Sequence, residues 1–315
     1  MSASVRALLR GQPLRLRPIA LRRSEQHPVR VALEAAGRHS DVTRAIFPAA
    51  LEPLTIAFYG DAPAQALRDH GACRLRFEDI VDSAVVGWIA IEPDAPLATP
   101  ETPISLVRPT RSAIPCEAAI YRTWRHFLAW RHTRAGAVSD HNLQMSYPDL
   151  RALNVFYVLP RPVFLVSVEW RDRANMFPMD LVAPVGGNDF MLALRRTSPS
   201  VETMCESRRL VISAAPAALK EIAYRLGAHH REATINWSSL PFAVTASLEY
   251  RIPRLAESPI VRELYVEAFH SIGSHMLFSC RVISQETPTD VPQLCHVSDM
   301  YARWRRRRGR AFADA

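Results

Sequence analysis

The chain has 315 residues, 48% of them hydrophobic and 22% charged, a composition that excludes a disordered or fibrous protein and leaves room for two ordinary domain cores. Its formal net charge of +8 sits at the ends: residues 1–31 carry seven arginines against Glu25, residues 303–315 carry six against Asp314, and the stretch between is slightly acidic. A body so near neutrality is not expected to take nucleic acid as its partner, and the run Arg305-Arg306-Arg307-Arg308 reads as a solvated end.

Arginine supplies nearly all the basic charge, Lys220 being the only lysine, so the bias belongs to the whole chain and marks no site. No apolar run approaches the roughly 20 residues of a helical membrane span, so an integral membrane protein is not expected. Five cysteines, with no C-x-x-C pair and no histidine at ligand spacing, predict reduced thiols, a cytoplasmic protein and no metal site.

In chain order, residues 1–28 read as a flexible basic leader. They are arginine-rich like a transit peptide but carry Pro13 and Pro18, which break an amphipathic helix; a bacterial leader fits equally. Residues 29–140 form a smaller β-rich domain of unassigned role, with strands expected at 29–33, 54–59, 73–77 and 85–91. Six prolines between 92 and 115 predict an extended connection. Residues 117–134 space Ile120, Trp124, Phe127, Leu128 and Trp130 as an amphipathic helix. From 141 to 290 the apolar runs lengthen, and strands are expected at 155–158, 163–168, 190–194, 210–213, 243–248 and 276–283, with a helix at 217–226. Many strands with so few helices between them describe a barrel rather than a parallel α/β sheet. Residues 291–315 are left as a basic carboxyl-terminal tail. The fold class is therefore mainly β with a few helices.

Within 143–286 several short segments occur in a telling order: 159–167 (LPRPVFLVS), 175–178 (NMFP), 183–189 (APVGGND), Arg195-Arg196, Thr203, 246–251 (ASLEYR) and 273–278 (GSHMLF). In order and spacing they resemble the FMN-binding split β-barrel of the flavin reductase type. The resemblance implies FMN, or else FAD, as cofactor, NAD(P)H as co-substrate, a small-molecule or protein electron acceptor, and a homodimer in which a second copy covers the flavin ring. It places Arg195, Arg196, Ser198 and Thr203 at the phosphate, where cations and hydroxyls bind an anion best. It places Asn175, Pro178, Met179, Asp180 and Ala183 along the ring edge, and His275 beside the nicotinamide. Asp180 and Ser274 depart from the family pattern, and a carboxylate at 180 opposes an anionic reduced flavin. The expected function is an NAD(P)H-dependent flavin oxidoreductase. The alternative is a flavin- or haem-binding module without turnover, whose first domain binds a partner or substrate.

Overall fold

A computed structural model describes residues 16–22, 25, 27–71, 73–94, 97, 103–116, 123, 124, 127, 130, 131 and 145–315. The chain divides into two compact units. The first comprises Met1–Arg17, His27–Pro160 and Val297–Ala311, and the second comprises Pro18–Gln26, Arg161–His296 and Phe312–Ala315. The expected mainly β fold is found in both.

After β1 (Leu16–Leu21), the first unit runs through β2 (Val29–Ala35), β3 (Arg38–Asp41), β4 (Ile46–Leu51), β5 (Leu54–Tyr59), helix α1 (Asp61–His70), β6 (Cys73–Asp79), β7 (Val85–Pro93) and β8 (Ile104–Ala113). These strands form one seven-stranded sheet in the order β3-β2-β6-β7-β8-β5-β4, every printed pairing antiparallel. Phe47, Phe58, Phe77, Leu33 and Ile56 are fully buried in it. Burial of each such side chain stabilises the fold by about 1.5–3 kcal/mol.

The extended connection expected over 92–115 is replaced in part by β8, a strand between two neighbours. Pro109 is tolerated there because it lies opposite Ile91, where the register of β7 slips between Ala90 and Ile91, and a bulge needs no ladder donor. The helix expected at 117–134 lies mostly outside the described residues; within it Thr123, Trp124, Phe127, Trp130 and Arg131 are helical.

Residues 155–158, expected as a strand, instead finish helix α2 (Tyr147–Phe156). Ser146 caps its start, accepting from the Asp149 N–H at 3.2 Å with a proline in the first turn, and this start signal outweighs the local β-propensity of Val155 and Phe156. Phe156 then meets the edge of Phe77, ring centroids 6.3 Å apart.

The second unit holds β9 (Arg161–Pro162), β10 (Phe164–Trp170), β11 (Arg173–Met179), β12 (Val182–Gly186), β13 (Asp189–Arg195), α3 (Ser200–Ser207), β14 (Arg209–Ala214), α4 (Lys220–Arg225), β15 (Val244–Ala246), β16 (Pro253–Leu255), β17 (Val261–Ile272), β18 (His275–Glu286) and β19 (Gln293–Ser298). Its main sheet has the order β11-β10-β14-β17-β18-β13-β12. Short 3-10 turns at Ala217–Leu219 and Leu226–Arg231 flank α4, so the helix expected at 217–226 is found with its ends tightened.

The basic run at the carboxyl terminus is not a solvated tail. Residues Asp299–Arg307 form α5, followed by β20 (Ala313–Asp314). Tyr301 is fully buried in the first unit and donates to Asp79 Oδ2 at 2.7 Å, while Arg308 and Arg310 bond Asp82 at 2.8 and 3.2 Å. An amphipathic spacing of Met300, Tyr301 and Trp304, hidden under the arginines, supplies the buried face.

Candidate functional site

Strand β13 ends at Arg195, paired in register with His275, the first residue of β18. The chain then turns: the Ser198 N–H donates to the Arg195 carbonyl at 3.0 Å, and α3 begins two residues later. Arg196 is held over the β17–β18 turn, its backbone N–H on the Ser274 carbonyl at 3.1 Å and Nη1 on the Gly273 carbonyl at 3.3 Å. Among the described residues neither Arg195 nor Arg196 forms an ion pair with a carboxylate. Ser198 is buried and its Oγ has no hydrogen-bond partner. Thr203 is buried one turn into α3. One short turn thus brings together two arginines without a counter-charge and an unused hydroxyl, an arrangement suited to an anion.

His275 is 2% exposed, with Nδ1 2.8 Å from Ser274 Oγ. Burial, and then the nearby Arg195 charge, lower its pKa to about 4, so the imidazole is neutral at neutral pH. That burial gives it a structural place at the strand end rather than the open face a nicotinamide contact requires.

The segment expected at a ligand's ring edge is largely occupied by the protein itself. Asn175 on β11 is buried, and its Nδ2 donates to Ser200 Oγ, the His229 carbonyl and the Glu232 carbonyl at 3.1, 2.9 and 2.8 Å. Only its Oδ1, an acceptor, has no partner. The outer side of the β11 edge is covered by residues 229–235: Ile235 N–H, His229 Nδ1 and His230 Nε2 meet the carbonyls of Ala174, Met176 and Pro178, each at 2.8 Å. Met179 is buried, and Ala183 lies on β12, the opposite edge, in register with Met191. The ring-edge residues therefore do not converge as side-chain donors; backbone groups beyond Pro178 are what this stretch can offer.

Asp180 belongs to a cluster that the sequence did not reveal. Its Oδ2 lies 2.7 Å from His296 Nδ1, and His296 Nε2 lies 3.2 Å from the Tyr224 hydroxyl, with the two rings stacked at 5.8 Å. A carboxylate on Nδ1 fixes the tautomer that leaves Nε2 as acceptor for the phenol proton. Tyr224 is 46% exposed, and burial followed by the Asp180 and Glu221 charges raises its pKa. The line therefore holds one proton at Tyr224 Oη, beside the His296 acceptor. His296 stands among apolar neighbours in β19 (QLCHVS); that exception to an apolar strand was the signal available in the sequence. Among the described residues no group of His, Cys, Asp and Glu could hold a metal ion, and no helix is long and apolar enough to cross a membrane.

Residues 156–305 match the family described as Flavin reductase like domain. No curated protein matches the chain. Among solved structures, an FMN-binding protein from Thermus thermophilus with bound p-hydroxybenzaldehyde is 21% identical over 41% of this chain and 73% of its own, with a TM-score of 0.37. The styrene monooxygenase flavin reductase from Pseudomonas putida S12 is 16% identical over 45% and 90%, at 0.38. An NADH:FAD oxidoreductase from Streptomyces globisporus C-1027 is 14% identical over 46% and 87%, at 0.41.

Proposed function

We propose, for a chain whose residues 156–305 form a flavin reductase like domain, that it is a flavoprotein holding FMN, and that NAD(P)H reduces the flavin before its electrons pass to a small-molecule or protein acceptor. The observation that carries the reading is the turn from Arg195 to Ser198, where, among the described residues, two arginines meet no carboxylate and a buried hydroxyl has no hydrogen-bond partner. A flavin mononucleotide phosphate fits that donor set, and charge-assisted hydrogen bonds to it contribute roughly 1.5–3 kcal/mol each. Arg195 and Arg196 would hold the phosphate, with Ser198 Oγ as the neutral donor beside them.

When bound, the flavin supplies the hydride acceptor and electron store. The protein binds, orients and handles protons. Because Asn175 spends its amide on Ser200, His229 and Glu232, it fixes β11 and the 229–235 segment as a rigid wall rather than touching a ring. Reduction of a flavin by NAD(P)H consumes one proton besides the hydride, and the Asp180–His296–Tyr224 line holds one at Tyr224 Oη.

The absorption spectrum of the purified protein tests the cofactor, and NAD(P)H consumption with added FMN tests turnover. Tyr224→Phe should lower turnover about a hundredfold, the lower end of general acid–base effects, while leaving FMN affinity within about twofold. A yellow protein that consumes no NAD(P)H would favour the binding module without turnover; a colourless protein that takes up no FMN would overturn the reading.

A further inference from the structure

The two units repeat one topology. Pairings β2–β3, β2–β6, β4–β5, β5–β8, β6–β7 and β7–β8 of the first unit recur one for one as β10–β11, β10–β14, β12–β13, β13–β18, β14–β17 and β17–β18 of the second. A helix occupies the same slot in each, α1 after β5 and α3 after β13. Even an irregularity recurs: in the β4–β5 hairpin the register slips by one residue after Pro48, and in the β12–β13 hairpin it slips by one after Pro184. Bulges are specific features, conserved as designed elements of a fold, and a shared seven-strand order with a shared bulge is the mark of a duplicated unit.

The repeat aligns the candidate anion turn with a counterpart of different chemistry. Arg195, last in β13, lies opposite His275, first in β18; in the first unit Tyr59, last in β5, lies opposite Ile104, first in β8. The four residues Arg196-Thr197-Ser198-Pro199 before α3 are reduced to Gly60 before α1, whose first residue is Asp61. Where the second unit offers two cations and a hydroxyl, the first offers a phenol and a carboxylate, and a carboxylate repels a phosphate.

We infer that the first unit is a diverged second copy of the flavin domain that has lost the phosphate seat, so that the chain binds one flavin rather than two. The inference rests on the flavin reading of the second unit. It gives the first unit an origin as a repeat of the second unit's fold without the cofactor.

Size-exclusion chromatography with light scattering and flavin absorbance on the FMN-saturated full chain tests it. The expected result is one flavin per chain of 35.4 kDa, falling to none in Arg195→Ala/Arg196→Ala. Two flavins per chain, with one retained in the double variant, would show that the first unit also binds and overturn the inference. Absence of flavin from every species would instead sink the flavin reading and the stoichiometry with it.

Discussion

At the scale of single residues, the candidate site separates side chains that are free to act from those already engaged. Among the described residues Arg195 and Arg196 pair with no carboxylate, so replacing both by alanine should weaken FMN binding by a few kcal/mol and leave riboflavin, which has no phosphate, nearly unaffected. Titration calorimetry with the two ligands checks this, and equal weakening of both would make the arginines structural. His275 gives a pH signature. Its folded pKa of about 4 lies below the ordinary value of 6.5, so the unfolded chain takes up a proton that the folded one refuses. The stability it allows is fully present above pH 6.5 and is lost as pH falls towards 4, by about 2 kcal/mol at pH 5. His275→Gln should therefore lose less stability than the parent between pH 7 and pH 5, as read by urea midpoints. Burial also pushes the Cys295 thiol up to about 12, which explains a free cysteine that stays inert.

At the scale of elements, each unit is held internally by contacts that local sequence patterns do not announce. Gly87 on β7 faces α2, and a Cβ there would lie 2.7 Å from Val155 Cγ1, so the strand and helix approach this closely only because residue 87 has no side chain. Gly87→Ala should destabilise the protein by about 1–3 kcal/mol through overpacking, and Gly87→Ala/Val155→Ala should recover part of the loss, both read as shifts in thermal midpoint. In the second unit, buried Glu263 on β17 accepts from the Glu249 and Tyr250 N–H groups and from Ser284 Oγ, tying the 249–250 bend to the β17–β18 hairpin. Burial alone would raise its pKa, and the hydrogen bonds outweigh that and lower it. Its contribution is thus present at neutral pH and is lost in acid, alongside that of His275.

At the scale of the whole molecule, the carboxyl-terminal basic segment is part of the first unit rather than an appendage. Asp79 is fully buried and takes Tyr301 at 2.7 Å, with Arg305 and Arg310 at 3.4 and 3.5 Å. Tyr301→Phe removes the shortest of these bonds and should cost about 1–3 kcal/mol, the penalty of a less satisfied buried carboxylate. Chemical denaturation should detect the loss while the FMN affinity of the second unit stays unchanged; a variant as stable as the parent would show that the arginines alone satisfy Asp79. Arg305, Arg308 and Arg310, expected to lie in a solvated end, serve instead as counter-charges to Asp79 and Asp82.

The sequence by itself determined that the protein is mainly β, that strands lie at 54–59, 73–77 and 85–91, and that the segment from 159 to 278 resembles a flavin reductase barrel. These properties are local: alternation and β-branched composition reach across five to ten residues, and short motifs keep their order whatever their partners. Arg195-Arg196 was legible for the same reason. The tertiary structure alone decided which strands are neighbours, and hence that one topology occurs twice; the β5–β8 and β13–β18 pairings join segments far apart in the chain, and alternation names no partner. It likewise decided that Pro109 sits in an inner strand, because a bulge removed the need for its missing donor, and that Asp180 faces His296 and Tyr224, because three separate elements bring those side chains together.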